Sequence, residues 1–291
     1  MVKHFLIFKN KKFIIILFLI LLFFISFFEY YNKNTILPKQ GFDSEIQSTD
    51  YLSIMAIMKN ESMNLKVWID HYIWQGVDHI YLIDNGSTDN SVDIIKDLQQ
   101  QGYPISLYII TEKHNQESKY RNIYDLENLP IRTKWLIICD LDEFFYCYNS
   151  TIKNELHNYE NYSVIYSRWR FFGSENLEKH PEDIRTAIKH RKYELDRQGK
   201  YIIQPKNIKS EQLNIHHIER IKREHVIDLS DIFRLNHYNI QSKEFFEKIK
   251  LQRGDVNSDY YEKMRNWEYF EKFDKEANFE DNDLRNMILS Q

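Results

Sequence analysis

The sequence predicts an α/β domain, a mostly parallel sheet flanked by helices, behind an N-terminal transmembrane helix. Three observations carry this. From residue 51 onward, apolar runs of strand length alternate with segments of helical period, the pattern of β-α-β units. Three of the first four runs end in polar clusters, where an open parallel sheet binds its ligands. One uncharged stretch, Phe13–Phe28, follows Lys3, Lys9, Lys11 and Lys12.

The apolar stretch is short for a span, which takes roughly 17–25 residues, unless Tyr30 and Tyr31 join it at the interface. It ends in Phe27-Phe28-Glu29-Tyr30-Tyr31, which offers a signal peptidase no pair of small residues. An uncleaved anchor is therefore expected over 13–31, with residues 1–12 as a cytoplasmic tail by the positive-inside rule. Residues 32–50 are polar, carry Pro38 and Gly41, and read as a stem linker. Residues 51–291 form the folded domain, on the far side of the membrane.

At 291 residues the chain can bury a sizeable core. Its net charge of −4, with no basic run beyond the N-terminus, argues against a nucleic-acid partner. The two cysteines, Cys139 and Cys147, have no zinc-type spacing and form no disulfide framework. Cys139 lies in an apolar run and reads as a small core residue, and one bond between the two stays open.

Within the domain, residues 52–58 read as the first strand. Residues 62–75 show an apolar stripe at Leu65, Trp68, Ile69, Tyr72 and Ile73, stopped by Gly76. Residues 79–84 are the second strand, 89–101 a helix ended by Gly102, and 105–110 the third strand. A polar helix follows over about 116–126, then a fourth strand, 135–139. Later strands are expected at 163–172, 201–204 and 213–217, a helix at 242–253, and helical cover over 255–291.

Four clusters can carry chemistry. Asp140-Leu141-Asp142-Glu143 crowds carboxylates directly after a buried strand. In an extended segment Asp140 and Asp142 share a face, an arrangement that holds Mg²⁺ or Mn²⁺ bridged to a diphosphate; an acidic turn is the plain alternative. Asp84-Asn85-Gly86-Ser87-Thr88-Asp89 is a turn with helix-capping residues, in which Asp84 closes a buried strand and is placed to bond a base or ribose. Lys59-Asn60-Glu61 leaves the first strand, either as a helix start or as nucleotide contacts. Last, His237 precedes a helix with Lys243, Lys248 and Arg253. An imidazole completes a metal shell with carboxylate, and those cations offset charge on a leaving diphosphate unless they form a solvated face.

Together with Phe172-Gly173-Ser174, Asn236-His237-Tyr238, Ser242–Phe246 and Lys248–Gly254, these clusters resemble the glycosyltransferases of family 92 and their family-2-like relatives over about residues 52–254. The resemblance implies a GT-A fold, a nucleotide-sugar donor that is usually UDP-linked, Mn²⁺ (or Mg²⁺), inversion at the anomeric carbon, and galactosyl transfer to a glycan. Carried over, Asp142 holds the metal, Asp140 lies near the ribose and the metal's waters, and His237 is a third metal-side ligand. Lys59, Glu61, Asp84 and Asn85 surround the nucleotide, and Lys243 and Lys248 meet the diphosphate. The loop after Phe172-Gly173-Ser174 departs from the family pattern. Glu175 in it is the candidate catalytic base, with Glu182 and Asp183 as rivals, and any of the three can be plain surface charge. A silent glycan-binding protein on the same fold is the alternative reading. Donor use across a membrane, with sequons at Asn149 and Asn161, implies a type II protein of the Golgi or endoplasmic reticulum with a lumenal domain.

Overall fold

The structure, a computed structural model, describes residues 49–112, 115–253 and 265–291. The expected tail (1–12), anchor (13–31) and nearly all of the stem (32–50) lie outside the described residues. Among the described residues no helix is long and apolar enough to cross a membrane.

The first half alternates as expected: β1 (Asp50–Met58), α1 (Leu65–Trp74), β2 (His79–Asp84), α2 (Ser91–Gln100), β3 (Ile105–Ile109), α3 (Gln116–Leu126) and β4 (Thr133–Ile138). These strands lie in the order β3-β2-β1-β4, all parallel. Their side chains alternate between two cores because a strand turns successive residues to opposite faces. Leu52, Ile54, Ala56 and Met58 face one core with α1 and α2, while Met55 and Ile57 face the other with α3. Gly76 and Gly102 take φ of +88° and +89° just after α1 and α2, a left-handed conformation that ends a helix without a Cβ penalty.

Beyond β4 the sheet is mixed, which narrows the expectation of a mostly parallel sheet to its first half. The later strands are β5 (Glu143–Cys147), β6 (Val164–Phe171), β7 (His190–Arg191), β8 (Gly199–Ile203), β9 (Val226–Asp228) and β10 (Phe233–His237). The sheet continues β4-β8-β6-β10-β5, with β9 also on β6. The β4–β8, β8–β6 and β10–β5 pairs are antiparallel, while β6–β10 and β6–β9 are parallel. The strand expected at 213–217 is instead a turn. Asn214 N–H bonds to His217 O, and an isolated bridge joins Leu213 to Ile218.

The last helical segments are α4 (residues 243–253), α5 (Trp267–Glu276) and α6 (Asp283–Leu289). Ser242 caps α4 through the Phe245 N–H at 3.1 Å. Within α4, Phe246–Lys250 form a π-helical turn. Cys139 and Cys147 are buried and free, and Tyr72 Oη lies 3.2 Å from Cys139 Sγ. Cys139 is thus the small core residue its apolar run suggested.

Candidate active site

Parallel pairing in the order β2-β1-β4 sets three of the polar clusters side by side at one edge of the sheet. Met58, the last residue of β1, pairs with Asp84, the last of β2. The loops beyond them are stitched together. Asn60 N–H bonds to Ser87 Oγ at 2.9 Å, Thr88 N–H to Asn60 Oδ1 at 2.7 Å, Glu61 N–H to Ser91 Oγ at 3.0 Å and Ser62 N–H to Asp89 Oδ2 at 3.1 Å. Asn60 adopts a left-handed φ of 55° to make these contacts, a conformation asparagine tolerates better than most side chains. The Asp84 carboxylate accepts from the Gly86 and Ser87 amides, so it shapes this turn. Asn85 Oδ1 accepts from Lys119 Nζ, an ammonium that also bonds to Glu112 O at 2.7 Å. Lys59 and Glu61 sit on the same stitched loop, Glu61 buried and Lys59 half-buried.

The acidic cluster is a tight turn and not the extended segment expected. Glu143 N–H bonds to Asp140 O at 3.1 Å, and the Asp140 amide bonds back to Glu143 Oε2 at 2.8 Å. Two lysines offset the crowded charge. Lys200 of β8, fully buried, lies 3.0 Å from Asp140 Oδ2 and 3.9 Å from Glu143 Oε2. Lys250 of α4, also buried, lies 2.5 Å from Asp142 Oδ2. Neither was singled out from the sequence. Lys200 ends a polar stretch just before the Tyr201-Ile202-Ile203 run, and Lys250 reads as one more lysine on a polar helix, so neither stands out in the sequence.

His237 closes β10, and its ring packs against Trp169 and Phe171 with centroids 5.0 and 4.9 Å away. Its Nε2 faces Asp142 Oδ1 at 3.5 Å, and the next amide, Tyr238 N–H, bonds to Asp142 O at 2.9 Å. Trp169 Nε1–H donates to Glu143 Oε1 at 2.8 Å, and Gln116 Nε2–H to Asp140 Oδ1 at 3.1 Å. The structure therefore brings Asp140, Asp142 and His237 together, and adds Glu143, Lys200, Lys250, Trp169 and Gln116.

The electrostatics reflect this packing. Burial opposes the ionised form of both aspartates. At Asp140 the Lys200 ammonium outweighs it and lowers the pKa; at Asp142, Lys250 and then His237 hold it well below the usual carboxylate range. Glu143 goes the other way: burial pushes it up to about 7, although Lys200 pulls it down. Burial opposes the charge on Lys200 too, but Asp140 and Glu143 reverse the effect and raise its pKa.

A divalent ion of the Mn²⁺ or Mg²⁺ type suits one part of this arrangement. Asp142 Oδ1 and His237 Nε2 are a carboxylate and an imidazole donor facing each other, and His237 Nδ1 is buried without a hydrogen-bond partner among the described residues. No group of three or more histidine, cysteine, aspartate or glutamate side chains forms a protein-only cage there, among the described residues. Two protein donors match an ion that completes its shell with substrate phosphate and water.

The remaining expected residues lie apart from the cluster's contacts. Lys243 pairs with Glu178 at 2.6 Å and Lys248 with Glu244 at 2.8 Å. Glu175 takes a left-handed φ of 54°. Its Oε1 accepts from the amides of Lys189 and His190 at 2.9 and 2.7 Å, and His190 Nδ1 lies 2.9 Å away. Burial opposes its ionisation, but these donors win and lower its pKa. Asp183 caps the short helix Ile184–Ala187 and pairs with Arg185 at 2.7 Å. Arg253 is described only in its backbone.

The sequence model of glycosyltransferase family 92 matches residues 53–287. A family 92 protein of Ricinus communis is 24% identical over 213 residues, covering 69% of this chain and 38% of its own. One of Arabidopsis thaliana is 24% identical over 220 residues, covering 69% and 37%. The chain thus spans under two-fifths of the length of these curated relatives. Among solved structures, S. aureus TarS 1–349 in complex with UDP-GlcNAc aligns with a TM-score of 0.42 at 8% identity, over 77% of this chain and 71% of that one. GalNAc-T7 with UDP, GalNAc and Mn²⁺ aligns at 0.40 and 8% identity, over 65% and 43%. On the match to its sequence model, this chain belongs to glycosyltransferase family 92.

Proposed function

We propose that this chain is an inverting GT-A glycosyltransferase that moves a hexose, galactose, from a UDP-linked donor to a glycan hydroxyl. One observation carries the reading. Three carboxylates, an imidazole and two buried lysines converge at the end of β4, beside the stitched loops that end β1 and β2. A site of that composition suits a nucleoside diphosphate whose leaving group gains negative charge in the transition state.

In this reading the stitched loops, with Lys59, Glu61, Asp84 and Asn85, border the nucleotide, and Asp140 faces the ribose. Asp142 and His237 would hold Mn²⁺ or Mg²⁺, which supplies Lewis-acid stabilisation of the diphosphate. Lys250 and Lys200 add fixed positive charge in a dry, preorganised setting, where a charge interaction is worth more than in water. Lys243 and Lys248, on the same helix as Lys250, draw the leaving group toward it. Glu143 is a positioning residue: its two oxygens are spent on Trp169 and on the Asp140 amide. Glu175 is the proposed base, taking the acceptor hydroxyl's proton as the new glycosidic bond forms and the diphosphate leaves. The fold sits on the lumenal side of a Golgi or endoplasmic-reticulum membrane, anchored through residues 13–31. Exposure of the sequon residues Asn149 and Asn161 supports that side.

The test is a screen of UDP- and GDP-sugars with the full chain for Mn²⁺-dependent release of nucleotide. Release from a UDP-hexose that stops with chelator supports the reading. Binding of a glycan with no turnover of any donor, acceptor present, would overturn it.

A further inference from the structure

A concave feature lies near the carboxylate cluster. It is a cleft of about 590 Å³ between β6, β8 and the segment 216–228, lined in part by Ser167, Arg168, Arg197, Gly199, His216 and Arg223. Its lining residue Gly199 is followed in β8 by Lys200, the partner of Asp140. His216 packs edge-on against Trp169 at 5.2 Å, and Trp169 bonds to Glu143.

The cleft is positively charged. Three arginines line it against one carboxylate, Asp228, which pairs with Arg168 at 3.3 Å. Arg197 and Arg223 form no ion pair among the described residues, and the nearby Glu224 faces Lys222 and His225. Guanidinium forks match a carboxylate or phosphate ester. Gly199 lets β8 run close against β6 at the floor of the cleft, since a Cβ there would stand 1.9 Å from Ser167 O.

We propose that this cleft binds an anionic group of the acceptor glycan, a carboxylate or a phosphate ester, next to the transfer site. The proposal rests on the sugar-transfer reading for the identity of the ligand as acceptor. It predicts a binding preference that does not depend on turnover.

Calorimetric titration of the full chain in detergent with tetragalacturonate, glucose 6-phosphate and neutral maltotetraose tests it. At least one anionic probe should bind tenfold or more tightly than maltotetraose, and the probe preferred names the anion. The double variant Arg197→Gln/Arg223→Gln should erase the preference. Both side chains are exposed and form no ion pair among the described residues, so the variant should keep its melting temperature and its affinity for UDP. Equal affinity for charged and neutral probes, no binding of either anion, or a preference that survives the double variant would each overturn the proposal. UDP titrated into the same samples separates the two failures: absence of UDP binding counts against the sugar-transfer reading, whatever the glycan probes do.

Discussion

The Lys250 ammonium lies 2.5 Å from Asp142 Oδ2, an ion pair that spans 108 positions of sequence and is almost wholly buried at both ends. Removing one partner of a buried pair strands the other charge. Lys250→Met is expected to cost about 3–5 kcal/mol, and adding Asp142→Asn should restore much of it. Urea unfolding of the four chains in chelator measures the coupling. Strictly additive losses would show that the two groups do not sense each other.

Asp142→Asn keeps the size of the side chain and removes its charge. Nucleotide release from the preferred donor should fall by about 100-fold or more, with the circular dichroism spectrum unchanged. Turnover that persists in this variant would remove Asp142 from the metal-side role.

Much of this site was legible in the sequence, and the reason is local. Asp140, Asp142 and the loops after β1 and β2 leave strands whose parallel direction follows from the β-α-β alternation. Lys200 and Lys250 were not legible, because each meets its aspartate only through tertiary packing. In an unbroken α-helix, Lys250 would lie two turns from Lys243 on the same face, pointing to solvent. The π turn at Phe246–Lys250 adds one residue to a turn and rotates the rest of the helix by roughly 100°. The 3.6-residue pattern carries no sign of that. The mixed half of the sheet was hidden for a similar reason: β5 starts at Glu143, inside the motif itself.

Glu175 provides a prediction with two readouts. As the base, Glu175→Gln should lower kcat by about 100-fold or more, with KM for the donor little changed. The same change weakens the carboxylate's bonds to the Lys189 and His190 amides, at a cost of about 1–3 kcal/mol. A lower melting temperature with kcat intact would assign Glu175 to bracing its loop alone.

His180 predicts a pH effect on stability. Burial pushes it down to about 4, though Glu244 pulls it up. Its Nε2 lies 2.9 Å from Asn64 Oδ1, and its ring stacks on Phe245. In the unfolded chain the imidazole titrates near about 6.5. Between the two values the unfolded chain binds the extra proton, so stability falls as pH falls. The contribution is complete above about 6.5 and gone by about 4. Denaturant midpoints of the wild type should drop more steeply than those of His180→Gln over this window. Parallel profiles would show that His180 does not titrate on unfolding.

The cluster's charge balance also bears on how the chain acquires its structure. Asp140 and Asp142 emerge from the ribosome long before Lys200 and Lys250, and until those lysines arrive the acidic turn repels itself. Contacts of such sequence separation are closed late, after shorter loops have formed. The parallel half, β1 to β4, contains mostly local β-α-β closures and is the natural early unit. Completion of the centre then waits for β8 and α4 to dock. A chain cut before residue 243 would retain the acidic turn and lack the Lys250 charge that neutralises Asp142.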